Sequence, residues 1–187
     1  MKNSIIQVAR SVFSKYGFKK TTMDDIARAA GKGKSSLYYY FKSKEEVFEI
    51  VLEYEVNLLR DELMNSINSD ELPQMKLRTY VLTRMKMFHN LVNFYDSFRQ
   101  EYFENYSFIE RIRKRYDEEE YLIISKIIEE GIESKLFAAH NVELTTLAII
   151  KAMKGFEFPW AAITDNNRIE SDIDNLLGIL FYGLLKR

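Results

Sequence analysis

The chain is nearly free of helix breakers. Its 187 residues contain 2 prolines and 7 glycines, and long mixed stretches of charged and apolar residues run between them. Glycine and proline are the residues that most disfavour a helix interior. The chain therefore reads as all-α. Hydrophobic residues make up 47%, enough to bury a core rather than leave the chain disordered. The length suits one large domain, or one small domain joined to a medium one. Cysteine is absent, which excludes disulfides and thiolate metal sites and fits a reducing compartment. The N-terminus, "MKNSIIQVARSVFSKYG", lacks the continuous apolar run of a secretory signal. No stretch approaches the roughly 18 uninterrupted apolar residues of a membrane span. These features predict a cytoplasmic protein with no membrane partner.

Apolar spacing sets out the helices. Ile5, Val8, Ala9, Val12 and Phe13 recur at i, i+3, i+4 and i+7, which predicts a first helix over about Asn3–Tyr16 with those residues buried. Gly17 follows, where a left-handed C-terminal residue belongs. Thr22 and Asp25 have the spacing of a capping box. They open a short second helix, about Met23–Ala30, with Met23, Ile26 and Ala27 inward and Gly31 ending it. A third short helix follows, about Lys34–Phe41. Leu37 and Phe41, four apart, share its core side. Ser35, Ser36, Tyr38, Tyr39 and Tyr40 are left on or near the outside. Ser43 is the N-cap of a long fourth helix that reaches about Ile67. Further helices are expected near 73–89, 90–105, 107–135, 141–162 and 168–186.

Charge is divided unevenly. From Met1 to Lys44 there are 10 Lys/Arg against 2 Asp/Glu, and the rest of the chain carries 17 against 26. A basic head on an acidic body suits a polyanion-binding module joined to a different one. Two short helices with a glycine-containing turn form a helix-turn-helix, whose second helix enters the DNA major groove. Lysines there answer phosphates, while serines and tyrosines can reach phosphates and base edges.

The stretch "IIQVARSVFSKYGFKKTTMDDIARAAGKGKSSLYYYFKSKEEVFEIVL" resembles the N-terminal domain of the TetR family of bacterial transcription regulators. The shared features are A-x-x-x-F before "YGF", the Thr-Thr pair, "DIARAAG" and "LYYYFKSKEE". The resemblance implies an all-α homodimer with a DNA-binding domain over 1–47 and a helical ligand-binding and dimerisation domain over 48–187. By position it assigns Lys34, Ser35, Ser36, Tyr38, Tyr39 and Tyr40 to the recognition helix. It assigns phosphate contacts to Thr22 and Lys44, and core places to Leu37 and Phe41. The family usually has glycine, an apolar residue and serine at the turn. Here Gly31, Lys32 and Gly33 stand instead, so Lys32 replaces the apolar plug and can add a phosphate contact.

Beyond the head, the resemblance implies a small-molecule effector. Aromatic density between Met85 and Phe108 points to an apolar or aromatic one. Phe88, His89, Phe98, Tyr102, Phe156 and Trp160 are the candidate pocket residues, with Arg84 and Asn93 among the polar groups. The last two helices carry more apolar surface than one narrow stripe can bury. Ile149, Met153, Leu177, Leu180 and Leu184 are the candidate dimer contacts, in a bundle of two helices from each subunit. No catalytic motif, metal site or cofactor site is found. The two histidines, His89 and His140, are far apart in sequence, and "RYDEEEY" at 115–121 reads as a solvated acidic face. The predicted function is a DNA-binding regulator, a ligand-responsive repressor on an inverted-repeat operator. A helical protein-binding adaptor is the alternative, though it leaves the basic helix-turn-helix without a purpose.

Overall fold

The computed structural model describes residues 2–67, 70–87, 91, 93, 107–138, 141–161 and 166–182, without the side chains of 157–161 and 166–167. These form α1 (Lys2–Tyr16), α2 (Met23–Ala29), α3 (Lys34–Tyr40), α4 (Lys44–Ser66), α5 (Pro73–Met87), α6 (Ser107–Glu133), α7 (Val142–Ala161) and α8 (Asn166–Tyr182). The helix expected over 90–105 lies outside the described residues except for Leu91 and Asn93. The chain divides into two compact units, 1–58 with 91–114, and 59–90 with 115–187. α4 and α6 each run through a boundary between them.

In the first unit, α1 buries Ile5, Ile6, Ala9, Val12 and Phe13. Ile6 takes the place that periodicity gave to Val8, which is only half-buried. Gly17 ends the helix at φ 77°, and its N–H donates to the Phe13 carbonyl at 2.8 Å. The chain then turns Phe18 inward. Its ring meets Phe48 of α4 at 4.7 Å between centroids, and Phe13 meets Phe48 edge-on at 4.9 Å. Leu37 and Phe41 are fully buried, as their spacing predicts. Ser43 Oγ accepts the Glu46 N–H at 3.2 Å and caps α4.

A polar staple lies in the same unit. Glu55 of α4 is buried; its Oε1 accepts from Arg10 Nε at 2.8 Å and from Asn93 Nδ2 at 2.9 Å. Asn93 Nδ2 also reaches the Arg10 carbonyl at 3.0 Å. Asn93, a candidate pocket group by sequence, thus joins α1 to α4.

In the second unit, α5 packs against α7 and α8. Leu77, Tyr80 and Val81 of α5, Ile124, Ile127 and Ile128 of α6, Ile149, Ile150 and Met153 of α7, and Ile169, Ile173 and Leu177 of α8 form its core. Each set repeats every three or four residues, the signature of one buried face. Arg78 of α5 forks onto Asp174 at 2.5 and 2.8 Å and Glu170 at 2.9 Å, both on α8.

The acidic run at 115–121 is not a uniformly solvated face. Asp117 and Glu118 are exposed, but Glu120 is buried. Its Oε1 accepts from Arg84 Nε at 2.6 Å and from Tyr80 Oη at 3.2 Å. Arg84 Nε also donates to Tyr116 Oη at 2.9 Å. Arg84, expected at a pocket, is a core residue.

α6 stops at Glu133, two residues short of its predicted end. Lys135 takes the left-handed conformation, φ 61°, and the Leu136 N–H returns to the Gly131 carbonyl at 2.9 Å. Gly131 has a second use. A Cβ there would run into the ring of Phe137, and that ring stacks on Phe181 of α8 with centroids 5.7 Å apart.

Candidate nucleic-acid interface

The α2–turn–α3 unit is built from local signals. Thr22 Oγ1 accepts the Asp25 N–H at 3.2 Å, and the Asp25 carboxylate accepts the Thr22 N–H at 3.0 Å. Asp25 also accepts from the Thr22 hydroxyl at 2.6 Å. These bonds hold the Asp25 carboxyl below the usual aspartate range. At the far end Gly31 adopts φ 62°. Its N–H reaches the Arg28 carbonyl at 3.1 Å and the Lys32 N–H reaches Ala27 at 2.9 Å, a Schellman closure. The turn therefore closes without an apolar plug, and the Lys32 side chain stays exposed. Gly33 caps α3 without a side-chain bond.

α3 turns two very different sides outward and inward. Leu37 is buried while Ser35 and Ser36 are exposed. Tyr39 is 84% exposed and Tyr38 46%. Tyr40 is half-buried and braces Tyr39 edge-on at 5.1 Å between ring centroids. A tyrosine this exposed contributes almost nothing to its own fold. Its ring and hydroxyl are available to a surface that meets α3.

The cations are placed unequally. Lys32 is exposed, as are Lys19, Lys20 and Lys42 nearby in sequence. Lys34 lies against Asp24 of α2, 3.0 Å from each carboxylate oxygen. That partner holds its ammonium pKa above the ordinary lysine value. Lys44 donates to the Phe18 carbonyl at 2.9 Å and sits 4.4 Å from that ring's centroid. It locks the post-α1 turn to the start of α4, a structural use that the sequence did not reveal.

The family profile described as "Bacterial regulatory proteins, tetR family" matches residues 5–51. Those residues contain the whole capped and closed α2–turn–α3 unit. Over those residues the chain is similar to the N-terminal domain of the TetR family. A relative by sequence is an uncharacterized HTH-type transcriptional regulator, YhgD, of Bacillus subtilis (strain 168). It is 27% identical over 163 residues, covering 85% of this chain and 83% of that one. IcaR of Staphylococcus aureus, a negative transcriptional regulator of the biofilm operon icaADBC, is 47% identical over 49 residues, 26% of each chain. Among solved structures, the transcriptional regulator FadR from Bacillus subtilis in complex with stearoyl-CoA shares the fold. Its TM-score is 0.75 at 21% identity, over 99% of this chain and 100% of that one. The likeness to the TetR family rests on residues 5–51.

The other candidate residues have varied places. Phe88, His89, Phe98, Tyr102 and Leu184 lie outside the described residues, and so does the side chain of Trp160. Phe156 is exposed on α7. Ile149, Met153 and Leu177 are already buried within their own chain, whereas Leu180 is 42% exposed. Leu144, Leu147, Ile179 and Tyr182 are exposed with it. The second unit also holds a half-open cavity of about 600 Å³. Leu77, Ile128, Phe137, Ile149 and Phe181 line it, with Gln74 and Thr145 among its polar groups. Phe156, whose side chain is described, is not among the residues that line it. No helix among the described residues is long and apolar enough to cross a membrane.

Proposed function

We propose that the protein is a ligand-responsive transcriptional repressor that binds an inverted-repeat operator as a homodimer. The observation that carries the reading is the outer side of α3, with Ser35, Ser36, Tyr38 and Tyr39 exposed above a buried Leu37. One helix fits the major groove, and its N-terminal residues come nearest the base edges. Thr22, Lys32 and Lys34 border that side and answer phosphates. A two-fold dimer reads two half-sites related by the same symmetry.

The effector is a small apolar or aromatic molecule. The cavity of about 600 Å³ in the second unit supports this reading, because small-molecule sites are mostly apolar clefts with a few polar groups. The stearoyl-CoA in the FadR complex makes long acyl chains the first compounds to try. Such a ligand lowers DNA affinity only by binding the DNA-incompetent arrangement better than the competent one.

The test begins by selecting bound sequences from random duplexes with the purified protein. The selected sites are expected to be inverted repeats. Tyr39→Ala should weaken binding to them about tenfold or more while leaving the melting temperature unchanged. Failure to enrich any sequence would remove the operator reading. Acyl chains and acyl-CoAs are then screened for a shift in melting temperature and in operator affinity. If no compound changes either, the effector part falls alone.

A further inference from the structure

The first 44 residues contain two acidic side chains among ten basic ones. Asp25 is occupied by the cap of α2, bonded to Thr22 through both its amide and its hydroxyl. Asp24 has no part in that cap. Its carboxylate instead lies against Lys34, the first residue of the recognition helix, on the exposed side of the head. Both side chains are about half exposed, 61% for Lys34 and 49% for Asp24. A pair this open adds little to stability, so its main consequence is electrostatic.

We propose that Asp24 is a specificity-determining residue that holds Lys34 back from DNA until α3 is fully seated. This rests on the DNA-binding reading above. Asp24 acts as an internal competitor for the phosphate. In a loosely docked complex on arbitrary sequence, the Asp24 carboxylate remains the nearest anion to the Lys34 ammonium, and the lysine contributes nothing. In the seated operator complex, a phosphate close to the start of α3 displaces Asp24. Phosphate contacts supply essentially all sequence-independent affinity. Making one of them conditional on fit therefore lowers background binding more than operator binding.

The test uses wild type, Asp24→Asn, Lys34→Ala and the double variant. Each is titrated against a random-sequence duplex and against a site selected by the wild type, over a range of salt. Asp24→Asn should bind the random duplex about five- to tenfold tighter near 0.1 M salt, with the salt slope steeper by about 0.9, the value of one added phosphate contact. The operator should gain less, so the ratio of the two affinities falls. In the Lys34→Ala background the Asp24→Asn gain should largely vanish. Several results would overturn the proposal: a variant that melts earlier yet binds no tighter makes the pair only a brace across the turn. Equal tightening with and without Lys34 makes Asp24 a general repulsive charge. Wild type that binds neither duplex at low salt brings down the DNA-binding reading itself, a different outcome from either of these.

Discussion

Arg84 Nε lies 2.6 Å from Glu120 Oε1, with both side chains out of contact with solvent. Two charges removed from water depend on each other, since the loss of one leaves the other buried and uncompensated. Arg84→Met should cost about 3–5 kcal/mol in urea unfolding. Arg84→Met with Glu120→Leu should recover much of that loss. A single variant as stable as wild type would mean that water reaches the pair.

The α2 cap gives an acid-dependent contribution. Asp25 is held below the ordinary aspartate range by its bonds from Thr22. A depressed carboxyl pKa stabilises the fold above its unfolded value, and that contribution is lost as pH falls through the folded value. Thr22→Ala should cost about 1 kcal/mol at neutral pH. The gap between wild type and Asp25→Asn should be full at pH 7 and close as pH drops below about 3.9. Parallel unfolding curves from neutral to acid pH would contradict this role.

Lys135 holds a left-handed backbone that glycine adopts without steric cost. Lys135→Gly should raise stability by about 1 kcal/mol, since the left-handed penalty is about 1–2 kcal/mol for a residue with a Cβ and the added chain freedom offsets part of it. Lys135→Ala keeps the penalty and should give no gain. Thermal unfolding of the two variants side by side reads the difference.

Leu180 is 42% exposed on α8, so a charge there is tolerated by an isolated chain. Leu180→Glu should leave helix content intact and shift the sedimentation pattern to monomer. It should also weaken operator binding, since two half-sites are then no longer engaged together. A variant that sediments with wild type at every concentration would place the dimer contact elsewhere.

Short-range features were legible because their physics closes within a few residues. The Thr22–Asp25 box, the left-handed Gly17, the helix end at Gly31, and the buried Leu37 and Phe41 all follow from spacing. Long-range pairings were not. Glu120 looked solvated because its partner Arg84 is 36 residues away. The bond from Lys44 to the Phe18 carbonyl, 26 residues back, was equally hidden, because nothing local shows that this carbonyl needs a donor. Lys135 hid a helix end because the left-handed position carries no glycine. The cavity was missed for a further reason. Its walls come from Gln74, Phe137, Thr145 and Phe181, each on a different segment, whereas aromatic density drew attention to 85–108.

Gly131 leaves the room that Phe137 fills, and Phe137 walls the cavity. Any side chain at 131 evicts that ring from its place beside Phe181. The nearest substitutions, alanine among them, are one nucleotide from every glycine codon. The cavity is thus one mutational step from a different shape, and that step leaves every residue of α1, α2 and α3 untouched. In a lineage under selection, the shape of this cavity can drift while the head is kept as it is.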